Sequence, residues 1–143
     1  MQPPLPFETV TVLIAEDDEG HAVLIREHLE EAGLANPILR FRDGQEALDW
    51  FQGPGRGERC ILLLDINMPR VDGIEVLRRL KADPATRTTP VIMLTTTDDP
   101  AEVALCYGAG CNLYLTKPRS FEAFSEALLR LGRFLPVIQV AEP

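Results

Sequence analysis

Apolar residues along the chain fall in short unbroken runs that alternate with longer stretches in which they stand three or four apart. The runs VTVLIA (10–15), CILLLD (60–65), VIML within 91–95 and LYLT (113–116) read as strands, with a weaker one, ILRF, at 38–41. Continuous rather than alternating apolar character is what parallel strands covered on both faces require. Between them lie amphipathic stretches. Residues 19–32 predict a helix with Val23, Leu24 and Leu29 near one face and Gly33 as its stop. DGQEALDWF (43–51) opens with turn chemistry and becomes a second helix, and GPGRGER (53–59) ends it. Residues 73–82 put Ile74, Leu77 and Leu80 on one stripe, and DPATRTTP (83–90) reads as an irregular connection. The acidic and proline residues of DDPAEVALCYGAG (98–110) suit a helix amino end. A last helix over 120–134, capped by Ser120, carries Phe121, Phe124, Leu128 and Leu131 toward the core. Five strands and five helices in strict alternation predict a doubly wound α/β domain around a five-stranded, mostly parallel sheet.

The polar residues that end these strands carry the chemistry. The first strand runs into Glu16 and Asp17, the third into Asp65, the fourth into Thr95 and the fifth into Lys117. In an open α/β sheet the carboxyl ends of the strands form one edge, and ligands bind there. A strand has to end on something polar, so each position alone is ordinary loop chemistry; the coincidence of all of them is not. Three converging carboxylates repel one another, and partial burial makes each charge harder to hold unless a cation is present. A divalent ion with oxygen ligands resolves this, and without histidine or cysteine in the set the donors favour magnesium or manganese over zinc. With a lysine and a hydroxyl beside them, the acids make a place where an aspartate nucleophile could receive a phosphoryl group.

Four segments, LIAEDD (13–18), LLLDINMPRVDG (62–73), IMLTT (92–96) and YLTKP (114–118), stand in the order and near the spacing of response regulator receiver domains, and the chain resembles that family over about residues 10–134. The resemblance implies a flavodoxin-like (βα)5 fold with strand order 2-1-3-4-5. It implies phosphoryl transfer from a sensor histidine kinase onto Asp65, with Mg2+ held by Asp17, Asp65 and the backbone carbonyl of Asn67, and by Glu16 through water. Thr95 would then swing toward the phosphoryl group, Lys117 would bridge to it, and Tyr114 would follow by changing rotamer. Pro118 resembles the family's cis proline, and Asn67 and Thr97 fall where the family tunes phosphoaspartate lifetime. Such a protein signals; beyond its own phosphorylation and dephosphorylation it is not an enzyme. Asp18, one place past the acidic pair, is expected at the helix entry.

Length and charge narrow the picture further. The 143 residues, 45% hydrophobic, suit one receiver domain with a tail from 135, and leave no room in this chain for an output domain. A formal charge of -8 opposes a direct hold on nucleic acid, and no apolar run reaches the roughly 18 residues that span a bilayer, so a cytoplasmic protein is expected. Cys60, Cys106 and Cys111 show no metal or disulfide spacing and are expected to be buried thiols. His21 and His28, seven apart, read as surface residues of the first helix. The tail LPVIQV is apolar; with Phe134 and Leu129 it either packs against a second copy of the chain or folds back on its own domain, and both readings stay open. DPATRTTP and NLYLTKPRS resemble stand-alone receivers paired with phytochrome-type kinases, several of them dimers. That implies a bacteriophytochrome-type sensor kinase, a homodimer, and a downstream phosphotransfer or target protein. Two rivals remain: an aspartate-nucleophile phosphatase, against which Asn67 stands where a second acid is usual, and an interaction module that is never phosphorylated.

Overall fold

A computed structural model describes residues 7–141. Its elements follow the hydrophobic rhythm: β1 (Thr11–Ala15), α1 (Glu19–Glu31), β2 (Ile38–Phe41), α2 (Gly44–Gln52), β3 (Cys60–Leu64), α3 (Gly73–Ala82), β4 (Val91–Thr95), α4 (Pro100–Gly108), β5 (Leu113–Thr116) and α5 (Phe121–Phe134). All pairings are parallel, and the sheet order is β2-β1-β3-β4-β5. Successive residues of each strand face opposite sides, so the apolar runs feed two cores. Leu13, Leu62, Leu64 and Met93 pack on α2, α3 and α4 through residues such as Phe51, Leu77 and Cys106. Val12, Ile14, Ile61, Leu63 and Ile92 pack on α1 and α5 through Ile25, Leu29, Phe124 and Leu128. Each of the five helices opens on a side chain that accepts a backbone N–H of its first turn: Asp18, Asp43, Asp72, Asp99 and Ser120. Such caps satisfy donors the helix itself cannot.

The order and register decide where the strands stop. Ala15 pairs with Leu64, Leu64 with Met93, and Thr95 with Thr116, so the carboxyl ends of β1, β3, β4 and β5 lie along one edge. The residues beyond them are held by backbone bonds: Asp65 N–H donates to the Ala15 carbonyl (3.1 Å) and Lys117 N–H to that of Thr95 (2.7 Å). Asp65 is therefore the first residue past β3, not its last.

Two side-chain expectations and one backbone expectation are corrected. On α1 the buried stripe is Ala22, Ile25 and Leu29, while Val23 is exposed. Phe121 is 60% exposed, with its ring edge-on to His28 of α1, and the buried stripe of α5 begins at Phe124. Among the described residues no peptide bond is cis, so the Lys117–Pro118 bond has the trans form that X–Pro bonds favour. Tight helix contact is visible at Gly132, where an added Cβ would lie 2.7 Å from that of Ala32. The tail is laid on its own domain: Leu135 is buried, Ile138 and Val140 pack on the α1/α5 core, and Arg59 donates to the Val140 carbonyl (3.1 Å). Val137 remains exposed. All three cysteines are buried, and burial pushes the Cys60 thiol up to about 12 and that of Cys111 to about 11, as inert thiols require. Among the described residues no helix is long and apolar enough to cross a membrane.

Candidate functional site

At the carboxyl edge of the sheet the three acids meet. Glu16, Asp17 and Asp65 each bring a carboxylate oxygen within 4.8 Å of the others. Asp17 is exposed, but Glu16 and Asp65 are buried. Into this pair β5 delivers Lys117, whose ammonium donates to Glu16 Oε1, to Asp65 Oδ2 (3.3 Å) and to His21 Nδ1 (3.1 Å). An ammonium only donates, so Nδ1 of His21 is the accepting nitrogen here, and all three lysine protons have a partner. Burial pushes the Glu16 carboxyl up to about 7; Lys117 pulls against that and Asp65 adds to it. One lysine thus does not fully compensate two buried acids and a third at the rim.

Two buried oxygens in this cleft have no hydrogen-bond partner, Asp65 Oδ1 and Thr95 Oγ1. Buried polar atoms are nearly always paired, and leaving one unpaired costs about 1–3 kcal/mol. An orphaned carboxylate oxygen beside two further acids fits a hard divalent cation, and an orphaned hydroxyl on the neighbouring strand fits an anionic oxygen. The donor set therefore suits both a metal and a phosphoryl group.

Two loops frame the cleft. After Asp65 the chain passes through Asn67, which is exposed, and Arg70, which adopts φ 67°. The left-handed backbone at Arg70 is accompanied by an ion pair from its Nε to Asp43 Oδ2 (3.2 Å), at the amino end of α2. Gly44 follows Asp43 because a Cβ there would lie 2.0 Å from the Val71 carbonyl oxygen. Beyond β4, Tyr114 hydroxyl donates to the Thr97 carbonyl (2.7 Å), tying β5 to the segment that follows Thr95. Tyr114 N–H in turn donates to the Tyr107 hydroxyl of α4 (3.1 Å). Burial raises the Tyr114 phenol to about 12, so the hydroxyl stays a donor.

Of the residues singled out in sequence, Glu16, Asp17, Asp65 and Lys117 are in mutual contact or nearly so, Thr95 is buried at the end of β4 on the same sheet edge, Tyr114 is tied to the segment after it, and Asn67 stands two residues past Asp65. Asp18 is the N-cap of α1, as expected. His21 is the correction. It is not a bystander but a partner of Lys117, packed edge-on against Phe124 with centroids 5.7 Å apart. Its sequence signal was position: the first turn of α1, which directly follows a site strand, has to lie at the same edge. His28 stays away from the cleft, bonded to the Leu24 carbonyl (2.8 Å).

Comparison with known proteins agrees with this geometry. The family model described as "Response regulator receiver domain" matches residues 12–129. A crystal structure of a response regulator receiver domain from Rhodospirillum rubrum superposes with a TM-score of 0.90 at 43% identity, covering 93% of this chain and 98% of that one. Response regulator Rcp1 of Synechocystis is 33% identical over 78% of each chain. Its Mn2+-bound crystal form gives a TM-score of 0.85 at 28% structural-alignment identity, covering 92% of this chain and 99% of that one. The phosphorylated cyanobacterial phytochrome response regulator RcpA gives 0.85 at 25% identity, covering 93% and 99%. With the strand order, the acidic cleft and the family match over most of its length in agreement, the chain belongs to the response regulator receiver domain family.

Proposed function

We propose that this receiver accepts a phosphoryl group on Asp65 from a phosphohistidine of a sensor kinase, with Mg2+ held by Asp17, Asp65 and the Asn67 carbonyl and by Glu16 through water. The observation that carries the reading is the pair of orphaned oxygens, Asp65 Oδ1 and Thr95 Oγ1, in a buried cleft whose one cation is already shared among three acceptors. In the transfer a carboxylate oxygen of Asp65 attacks phosphorus, the P–N bond to the donor imidazole breaks, and an acyl phosphate forms. Bound Mg2+ offsets charge on the phosphoryl oxygens. Lys117 shifts one of its three hydrogen bonds to a phosphoryl oxygen, and the Thr95 hydroxyl donates a hydrogen bond to another. Moving Thr95 disturbs the segment whose Thr97 carbonyl holds Tyr114, so the charge added at Asp65 reaches β5 and α4 through a bistable contact.

Incubation with acetyl phosphate and Mg2+ should add the mass of one phosphoryl group, and fragmentation should place it on the peptide containing Asp65. Continuous phosphate release from unrelated esters would favour the phosphatase, and an unaltered mass the passive module. Asn67 speaks against the phosphatase, since an acid two residues beyond the nucleophile is lacking.

The similarity to the phytochrome response regulator RcpA supports a phytochrome-type sensor kinase as the donor, and a cytoplasmic location is part of this proposal. The exposed Phe121 and the half-buried His21 and His28 give α1 and α5 a face for the kinase helices. A downstream phosphotransfer or target protein would then read the phosphorylated state. We further propose a homodimer. The open edge of β5 and α5 border a groove of about 630 Å³ lined by Leu113, Leu115, Leu131 and Phe134, with Glu126 and Arg130 beside them. Within one chain Arg130 donates to Glu126 Oε1 (2.6 Å), and in the proposed two-fold dimer the two copies would exchange these partners beside the apolar groove. Phe134→Glu should convert a dimer to a monomer in sedimentation at fixed concentration; a wild type that sediments as a monomer throughout would remove the proposal.

A further inference from the structure

Behind the acidic cleft lies a cation that no strand-end pattern points to. Arg40 sits on edge strand β2, level with Ile14 of β1, and its side chain reaches up past the end of the ladder. There Nε and one terminal nitrogen both donate to the Glu16 carbonyl (3.0 and 2.8 Å), and that terminal nitrogen also donates to the Asp17 carbonyl (3.3 Å). The other terminal nitrogen pairs with the Glu19 carboxylate. Its side chain is only 14% exposed.

These contacts take hold of the β1–α1 turn by its main chain. Beyond Ala15 the turn keeps one further link to β2, the Glu16 N–H to the Phe41 carbonyl (3.0 Å). The carbonyls of Glu16 and Asp17 no longer belong to the ladder, so without Arg40 they would turn to solvent. Because a guanidinium is planar and its donors are fixed relative to one another, fixing two successive carbonyls fixes the peptide planes on both sides of Asp17. That matters most for Asp17, whose exposed side chain has little packing of its own to aim it.

We infer that Arg40 is the positioning residue of the metal site: it holds the Glu16–Asp17 backbone so that both carboxylates face Asp65. The inference rests on the metal reading above. Arg40 also carries a charge, and charge alone has the opposite sign: a positive group behind the acids weakens cation binding, so deleting it would tighten the site. Direction therefore separates a clamp from a mere neighbour. Outer partners that orient metal ligands are worth roughly 10–100-fold in affinity.

The test is Mn2+ binding to the full chain, followed by the loss of the free-ion electron paramagnetic resonance signal, with urea unfolding alongside. Arg40→Ala should weaken Mn2+ about tenfold. Arg40→Lys, which keeps the repelling charge but not the fork, should weaken Mn2+ as well, and wild-type affinity in a folded Arg40→Lys would overturn the clamp. Arg26→Ala, which removes another arginine bond to β2, at the Ile38 carbonyl (3.3 Å), should leave the affinity unchanged. Equal or tighter Mn2+ binding by a folded Arg40→Ala overturns the inference, as does an equal loss in Arg26→Ala. If wild type itself leaves the Mn2+ signal untouched, the metal reading fails first and the clamp falls with it.

Discussion

Lys117→Met is expected to cost about 3 kcal/mol of stability in metal-free buffer, at the lower end of what breaking a buried ion pair from one side costs. The Lys117 side chain is 2% exposed, and among the described residues its ammonium is the cation that donates to Glu16 Oε1 and Asp65 Oδ2. Methionine fills the volume but leaves two buried carboxylates facing each other. The loss stays near the lower limit because Glu16, already pushed up to about 7 by burial, can take a proton and shed part of the repulsion. Mg2+ should restore more stability to the variant than to wild type, since it becomes the only counter-charge in the cleft, and ligand that binds the folded state alone stabilises it by mass action. Phosphorylation by acetyl phosphate should slow about 100-fold, the usual scale for removing one preorganised donor to a charged oxygen. Urea titrations with and without Mg2+, and a mass-resolved time course, read the two effects separately. A stability change under about 1 kcal/mol would mean that the buried network does not bear the charge assigned to it.

The strand ends were legible because a buried parallel strand has a simple signature, and the first polar residue after it has to appear at the sheet edge. Glu16, Asp65, Thr95 and Lys117 were found that way. Strand order was not legible from periodicity, since any arrangement of five parallel strands buries the same runs; it came from the resemblance. Arg40 shows the cost of that gap. Read alone it is a polar residue in a weak edge strand, and it becomes a partner of the acidic turn only when β2 lies beside β1. Val23, expected near the core face, is exposed, and its neighbour Ala22 is buried instead. The buried residues Ala22, Ile25 and Leu29 stand three and four apart and form one stripe, whereas Val23, Leu24 and Leu29 stand one and five apart and do not share a face. Phe121 differs for another reason: periodicity places it on the face of Phe124 and Leu128 but does not say where along the helix the buried stripe begins. His21 lay hidden between these two effects, on a turn classified as surface that overhangs the site.

Gly73→Ala is expected to damage phosphoryl acceptance strongly for a single added methyl, although Gly73 carries no ligand or proton donor of the site. A Cβ there would stand 2.0 Å from the Asp65 carbonyl oxygen and 2.8 Å from both Asp65 C and Ile66 Cα. These are backbone atoms, so no flexible side chain can yield. The contact is close because Gly73 N–H donates to the Ile66 carbonyl (2.8 Å), docking the first turn of α3 directly on the chain that carries the acceptor aspartate. To reach an ordinary carbon–oxygen separation, either α3 or the Asp65 main chain has to move by more than about 1 Å, and such overpacking costs about 3 kcal/mol where the backbone cannot relax. A displacement of that size at a reacting group costs about 100-fold in rate. The variant should therefore lose stability and phosphoryl acceptance together, and excess Mg2+ should not rescue the rate. Gly108→Ala is the matched control: it lies in α4 with nothing within 4 Å of its added methyl, and alanine should leave the phosphorylation rate unchanged while stabilising the helix by up to about 1 kcal/mol. If both alanines phosphorylate at the wild-type rate, Asp65 is not aimed by the α3 contact, and the strand tip alone must hold it.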